Sequence, residues 1–217
     1  MNSIPAPDQP LDPRAALASI TAAETSTRKS IGPNVAVLYF VWAAAYLLGY
    51  GLLQGSTAGW LPLPFASALL IGAVILLAAI VFSAWAGIRS GRQIRGDSRF
   101  AGMAYGMSWM AGFTTLAVFS IALFTLLPDA EPETTGWLIN AVAIMIVAIM
   151  YMAGAAIFHD KPMFVLGACF AVVNIAGLLA GPTLFMAIFA LAGPVLLGAA
   201  GILALIMARL PAIPEAE

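Results

Sequence analysis

The stretch IRSGRQIRGDSR, residues 88–99, places Arg89, Arg92 and Arg95 at every third position, with Arg99 close behind. A helix that carries charge through the membrane field, as a voltage sensor does, uses this spacing. So does a basic connection left on one side of a bilayer. The residues between the arginines separate the two. Ser90, Gly91, Gln93, Gly96 and Asp97 are polar or helix-weakening. A sensor would need an otherwise apolar helix and carboxylate partners on neighbouring spans. The stretch therefore reads as an inner loop between two membrane spans, and its arginines set topology.

Outward from this loop the chain is apolar in both directions. A span needs about 20 predominantly apolar residues, and six stretches qualify, at about 35–54, 64–88, 101–127, 137–158, 163–182 and 184–208. The fifth and sixth are separated only by Gly181–Pro182. The sequence predicts an all-α integral membrane bundle of six transmembrane helices. Its parts are a cytoplasmic segment 1–33, a transmembrane domain 34–209 and a cytoplasmic tail 210–217. Composition agrees. Of 217 residues, 62% are hydrophobic and 9% charged, against about 25% charged in a soluble domain. The mean hydropathy is +0.99. The polar residues ahead of the first span do not form a cleavable signal peptide, so the N-terminus is expected to be retained.

Cation placement orients the bundle. With an even number of spans and the N-terminus inside, the inner parts hold Arg14, Arg28, Lys29, Arg89, Arg92, Arg95, Arg99, Lys161 and Arg209, which are all nine lysines and arginines. The outer loops hold none. Such a bias in short loops fixes orientation, so both termini are expected in the cytoplasm. Trp60 and Trp137 then mark the outer boundary and Trp85 the inner one.

Outside the spans, LDPRAALASITAAETSTRKSIGPN carries the punctuation of a helix over about 12–31: Asp12 at the cap, Pro13 in the first turn and Gly32–Pro33 as the stop. Its apolar face, mainly Leu17 and Ile20, is suited to the inner membrane surface or to a protein partner. Residues 1–10, with Pro5, Pro7 and Pro10, are expected to stay unstructured. The net charge of −1 argues against a nucleic-acid partner.

Chemistry is hard to place. No span interior contains Asp, Glu, Lys or Arg, the residues that mark intramembrane function. The sharpest intramembrane polar residues are Asn140 and Asn174. They are read as contacts that join helices or as the lining of a path for a neutral solute. Arg89, Arg92, Arg95 and Arg99 are candidate contacts for anionic lipid. Ser108 in YGMSWM lacks a nucleophile motif. His159 is the only histidine and makes no metal set, and Asp129, Glu131 and Glu133 form a solvated acidic loop. Cys169 is the only cysteine. No catalytic, cofactor-binding or metal-ligating residue is assigned. GMAYG at 102–106 and GLLAG at 177–181 are small-xxx-small patterns that let helices approach, and Pro194 is expected to kink the sixth span.

The order of these features resembles an uncharacterised group of small bacterial six-span inner-membrane proteins. The residues that carry the likeness are Asp12–Leu17, Tyr39–Gly51, Gly102–Trp109 and Tyr151–Lys161. The resemblance implies a fold and a bacterial inner membrane, and it transfers no activity. Two functions follow as expectations: a non-catalytic accessory or partner-binding membrane component, or a channel or facilitator for a small neutral or weakly polar solute.

Overall fold

A computed structural model describes residues 12–14, 16–17, 19–20, 34–91 and 97–209. Arg92 and Arg95, most of the N-terminal segment and the tail lie outside the described residues. Six long helices follow in order: α1 (Val35–Thr57), α2 (Phe65–Gly91), α3 (Asp97–Leu126), α4 (Pro132–Phe158), α5 (Lys161–Ala180) and α6 (Pro182–Arg209). All six are long and apolar enough to cross a membrane. The chain is a multi-pass membrane protein.

Local chemistry sets the helix ends. Asn34 caps α1, its side-chain oxygen accepting the Val37 N–H at 3.2 Å. Asp160 caps α5 in the same way, accepting the Met163 N–H at 3.0 Å, with Pro162 in the first turn. His159 ends α4 in the left-handed region at φ 55°. The charged turn HDKP is thus a stop followed at once by a start. Between α5 and α6 the chain turns at Gly181, whose φ of 85° favours glycine. Ahead of α1, the Asp12 side chain accepts the Arg14 N–H at 3.0 Å, and residues 13–14, 16–17 and 19–20 are helical; the rest of the helix expected over about 12–31 lies outside the described residues.

Three helix ends differ from expectation. Helix α2 continues to Gly91 and α3 begins at Asp97, so Arg89 and Arg99 sit on helix ends and the loop is shorter. Helix α4 begins at Pro132, which draws Glu133 from the acidic loop into a first turn, where a carboxylate suits the helix dipole. Pro194 lies inside α6, which continues through it.

Side-chain pairings show the helices running antiparallel to their neighbours: Phe40 meets Gly201 and Tyr46 meets Gly193 across α1 and α6, and Gly167 meets Ala148 across α4 and α5. The most extensive interface is α1 with α6, followed by α4 with α5 and α1 with α2. Helices α1, α4, α5 and α6 enclose the centre. Helix α2 packs chiefly on α1 and α3 chiefly on α4. Consecutive in sequence, α2 and α3 are not paired along their lengths.

The core is aromatic and closed. Phe170, Phe185 and Phe189 are fully buried, with Ile144 and Leu197 nearly so. Tyr46 lies at the centre, its ring 5.8 Å from Phe170 and 5.4 Å from Tyr50. In lipid, burial of apolar surface brings no gain over the solvent, so close packing and polar contacts must hold the helices together. Glycines permit that closeness at selected points. A methyl group on Gly167 would stand 2.8 Å from the Ala148 carbonyl oxygen, and one on Gly177 2.8 Å from the Phe185 ring. The second of the two small-residue patterns is therefore used at Gly177. The first is not: added methyls at Gly102 and Gly106 would meet nothing within 4 Å.

Candidate functional site

Asn140 on α4 and Asn174 on α5 bond at adjacent positions of α4. The Asn140 amide nitrogen donates to the Gly136 carbonyl at 2.8 Å, and its oxygen accepts the Tyr50 hydroxyl at 3.0 Å. One residue further along α4, the Ala141 carbonyl accepts the Asn174 amide nitrogen at 2.9 Å. Two adjacent α4 positions thus tie α1 on one side and α5 on the other. The fold places both bonds in the half of the bundle away from the arginines. Tyr50 is a partner that sequence reasoning missed. Its only signal is membership in the tyrosine series Tyr39, Tyr46, Tyr50 along α1.

This polar level is incompletely satisfied. The Asn174 carbonyl oxygen is buried without a hydrogen-bond partner, and Asn174 itself is 5% exposed. The Gln54 carbonyl oxygen and the Trp137 indole N–H are also buried and unpartnered. Gln54 lies one turn beyond Tyr50 on α1, and Trp137 one turn before Asn140 on α4, so both belong to the same end of the bundle. Trp137, expected near the outer boundary, packs against the core with its N–H buried. Trp60, in the loop before α2, and Trp85, near the end of α2, are exposed.

The remaining candidates separate. Trp42 donates to the Ser83 hydroxyl at 2.9 Å and joins α1 to α2. Tyr105 donates to the Met150 carbonyl at 3.1 Å and joins α3 to α4. Ser108 turns its hydroxyl back onto the Ala104 carbonyl of its own helix at 3.0 Å, and His159 serves as a helix stop. Among the described residues, no three His, Cys, Asp or Glu side chains gather where one ion could be held. Cys169 is unpaired and partly exposed on α5.

At the arginine-bearing end, Arg89 lies on the last turn of α2 and its guanidinium sits 5.4 Å from the centre of the Trp85 ring. Arg99 is exposed in the first turn of α3. The two are candidate lipid contacts with described positions. The bonds of Trp42, Tyr50, Tyr105 and Asn174 each brace one helix against another. Comparison with protein-family models, with curated proteins and with solved structures gives no match.

Proposed function

We propose that this multi-pass membrane protein is a non-catalytic component that engages a membrane partner through α3, with both termini and the arginine-bearing end in the cytoplasm of a bacterial cell. The cation bias supports the orientation, and the resemblance in the spans supports the bacterial inner membrane. The observation that carries the partner reading is the uncovered face of α3. Gly102 and Gly106 have open space above them, and Met103, Met107 and Met110 beside them are more than half exposed. Facing lipid, a glycine stripe gains nothing. Against another helix it permits close backbone approach, and flexible methionines fit varied partner surfaces. The capped helix beginning at Asp12 and the arginine-bearing end offer further contacts on the cytoplasmic side.

The test is mild-detergent isolation of the full chain from its host, compared with a Gly102→Leu/Gly106→Leu variant. A stoichiometric companion is expected with the parent chain and not with the variant, while both melt at the same temperature. Equal recovery of companions by the two chains would defeat the reading.

A second reading, a facilitator for a small neutral or weakly polar solute, rests on the unpartnered oxygens of Asn174 and Gln54. Against it, the fully buried Phe170, Phe185 and Phe189 close the centre of the bundle, which supports a bracing role for the two asparagines.

A further inference from the structure

A stripe along α2 ends in a cation. Val74, Leu77, Ala78, Val81, Phe82 and Trp85, all on α2, line a shallow, open and almost entirely apolar groove. Their spacing of three and four residues puts them on one helix face. Arg89, four residues beyond Trp85, continues that face. Its guanidinium is folded back over the Trp85 indole, a cation–π contact that holds the charge at the groove's mouth.

The dimensions define the occupant. From Val74 to Trp85 the helix rises about 16 Å. One leaflet supplies about 15 Å of hydrocarbon, half the thickness of the bilayer core. The groove therefore matches one acyl chain in length, and the cation lies where that chain's headgroup begins. A free anion would make no use of the groove. A neutral or zwitterionic lipid would make less use of Arg89.

We propose that an anionic phospholipid from the leaflet at the arginine-bearing end occupies this groove, with its acyl chain running from Val74 to Trp85 and its phosphate on Arg89. Trp85 positions the guanidinium and forms the shoulder between chain and headgroup. The site stands apart from the α3 face, and neither depends on the other.

The test uses the full chain in phosphatidylcholine vesicles that contain a minor fraction of lipid brominated on its acyl chains. Brominated phosphatidylglycerol is compared with brominated phosphatidylcholine as a quencher of tryptophan fluorescence. One cation near an anionic surface contributes about 1 kcal/mol, which is roughly a fivefold preference for the anionic lipid. The excess quenching by phosphatidylglycerol is expected to disappear in Trp85→Phe, which removes the reporter, and in Arg89→Gln, which removes the charge. It is expected to persist in Arg209→Gln, whose cation lies at the end of α6. Equal quenching by the two lipids would overturn the proposal. So would an excess that survives either α2 substitution, or a Trp85 that neither lipid reaches because protein covers the groove.

Discussion

Asn140 shows how a polar side chain can be settled inside a membrane. Its nitrogen is returned to its own helix at Gly136 and its oxygen receives the Tyr50 hydroxyl, so the amide bridges two helices with both of its halves used. Interhelical hydrogen bonds of this kind contribute about 0.6 kcal/mol on average, with a maximum near 1.7. A double-mutant cycle of Tyr50→Phe and Asn140→Leu is therefore expected to give a coupling energy of about 0.6 kcal/mol in detergent unfolding. In proteoliposomes the Asn140→Leu variant and the parent chain are both expected to pass glycerol at the empty-vesicle rate. Glycerol flux in the parent that the substitution abolishes would favour the facilitator reading and end the bracing one. At this scale the sequence is informative about identity and silent about pairing. Asn140 and Asn174 stand out because amides are rare among their apolar neighbours. That Asn140 would find Tyr50, and that Trp137 would turn its N–H inward, depends on which helices meet.

At the scale of the helix, the glycines divide into those that permit contact and those that face open space. Gly167 on α5 is pressed against backbone, with the Ala148 carbonyl oxygen 2.8 Å from where a methyl would stand and the Met152 side chain equally close. A carbonyl held in a helix cannot move aside, so Gly167→Ala is expected to destabilise by about 1–3 kcal/mol, the usual cost of overpacking. Gly106→Ala on α3 has no such neighbour and is expected to melt at or above the parent temperature. Thermal unfolding in detergent measures both, and comparable losses would refute the assigned packing. Sequence could not sort these glycines, because GMAYG and GLLAG offer the same spacing. Helix ends were more legible. Asn34, Asp160 and Gly181 act through local geometry, which a short stretch of sequence contains. The exceptions are the starts of α3 and α4, where Arg99 and Glu133 proved to be helical. Polar residues at a membrane boundary are compatible with either a loop or the first turn of a helix.

The whole molecule is a closed centre of α1, α4, α5 and α6 flanked by α2 and α3. Orientation across the membrane is a prediction at this scale. With Cys169→Ala as background, single cysteines at Ala58 and Asp129 are expected to react with an impermeant maleimide on intact cells, and one at Ser30 only after permeabilisation. The opposite pattern would invert the assigned sides and carry the lipid site to the other leaflet. Sequence alone determined that the chain carries six helices long and apolar enough to span a membrane, and where most of them stop. Those properties follow from composition and from residues near one another in the chain. Only the tertiary structure decided which helices are central and which are peripheral. It also decided which asparagine meets which partner, and that Gly102 and Gly106 of α3 are left uncovered. The physical reason is that lipid and protein interior are nearly equivalent for an apolar side chain. A lipid-facing helix surface and a buried one have much the same composition, and only packing distinguishes them.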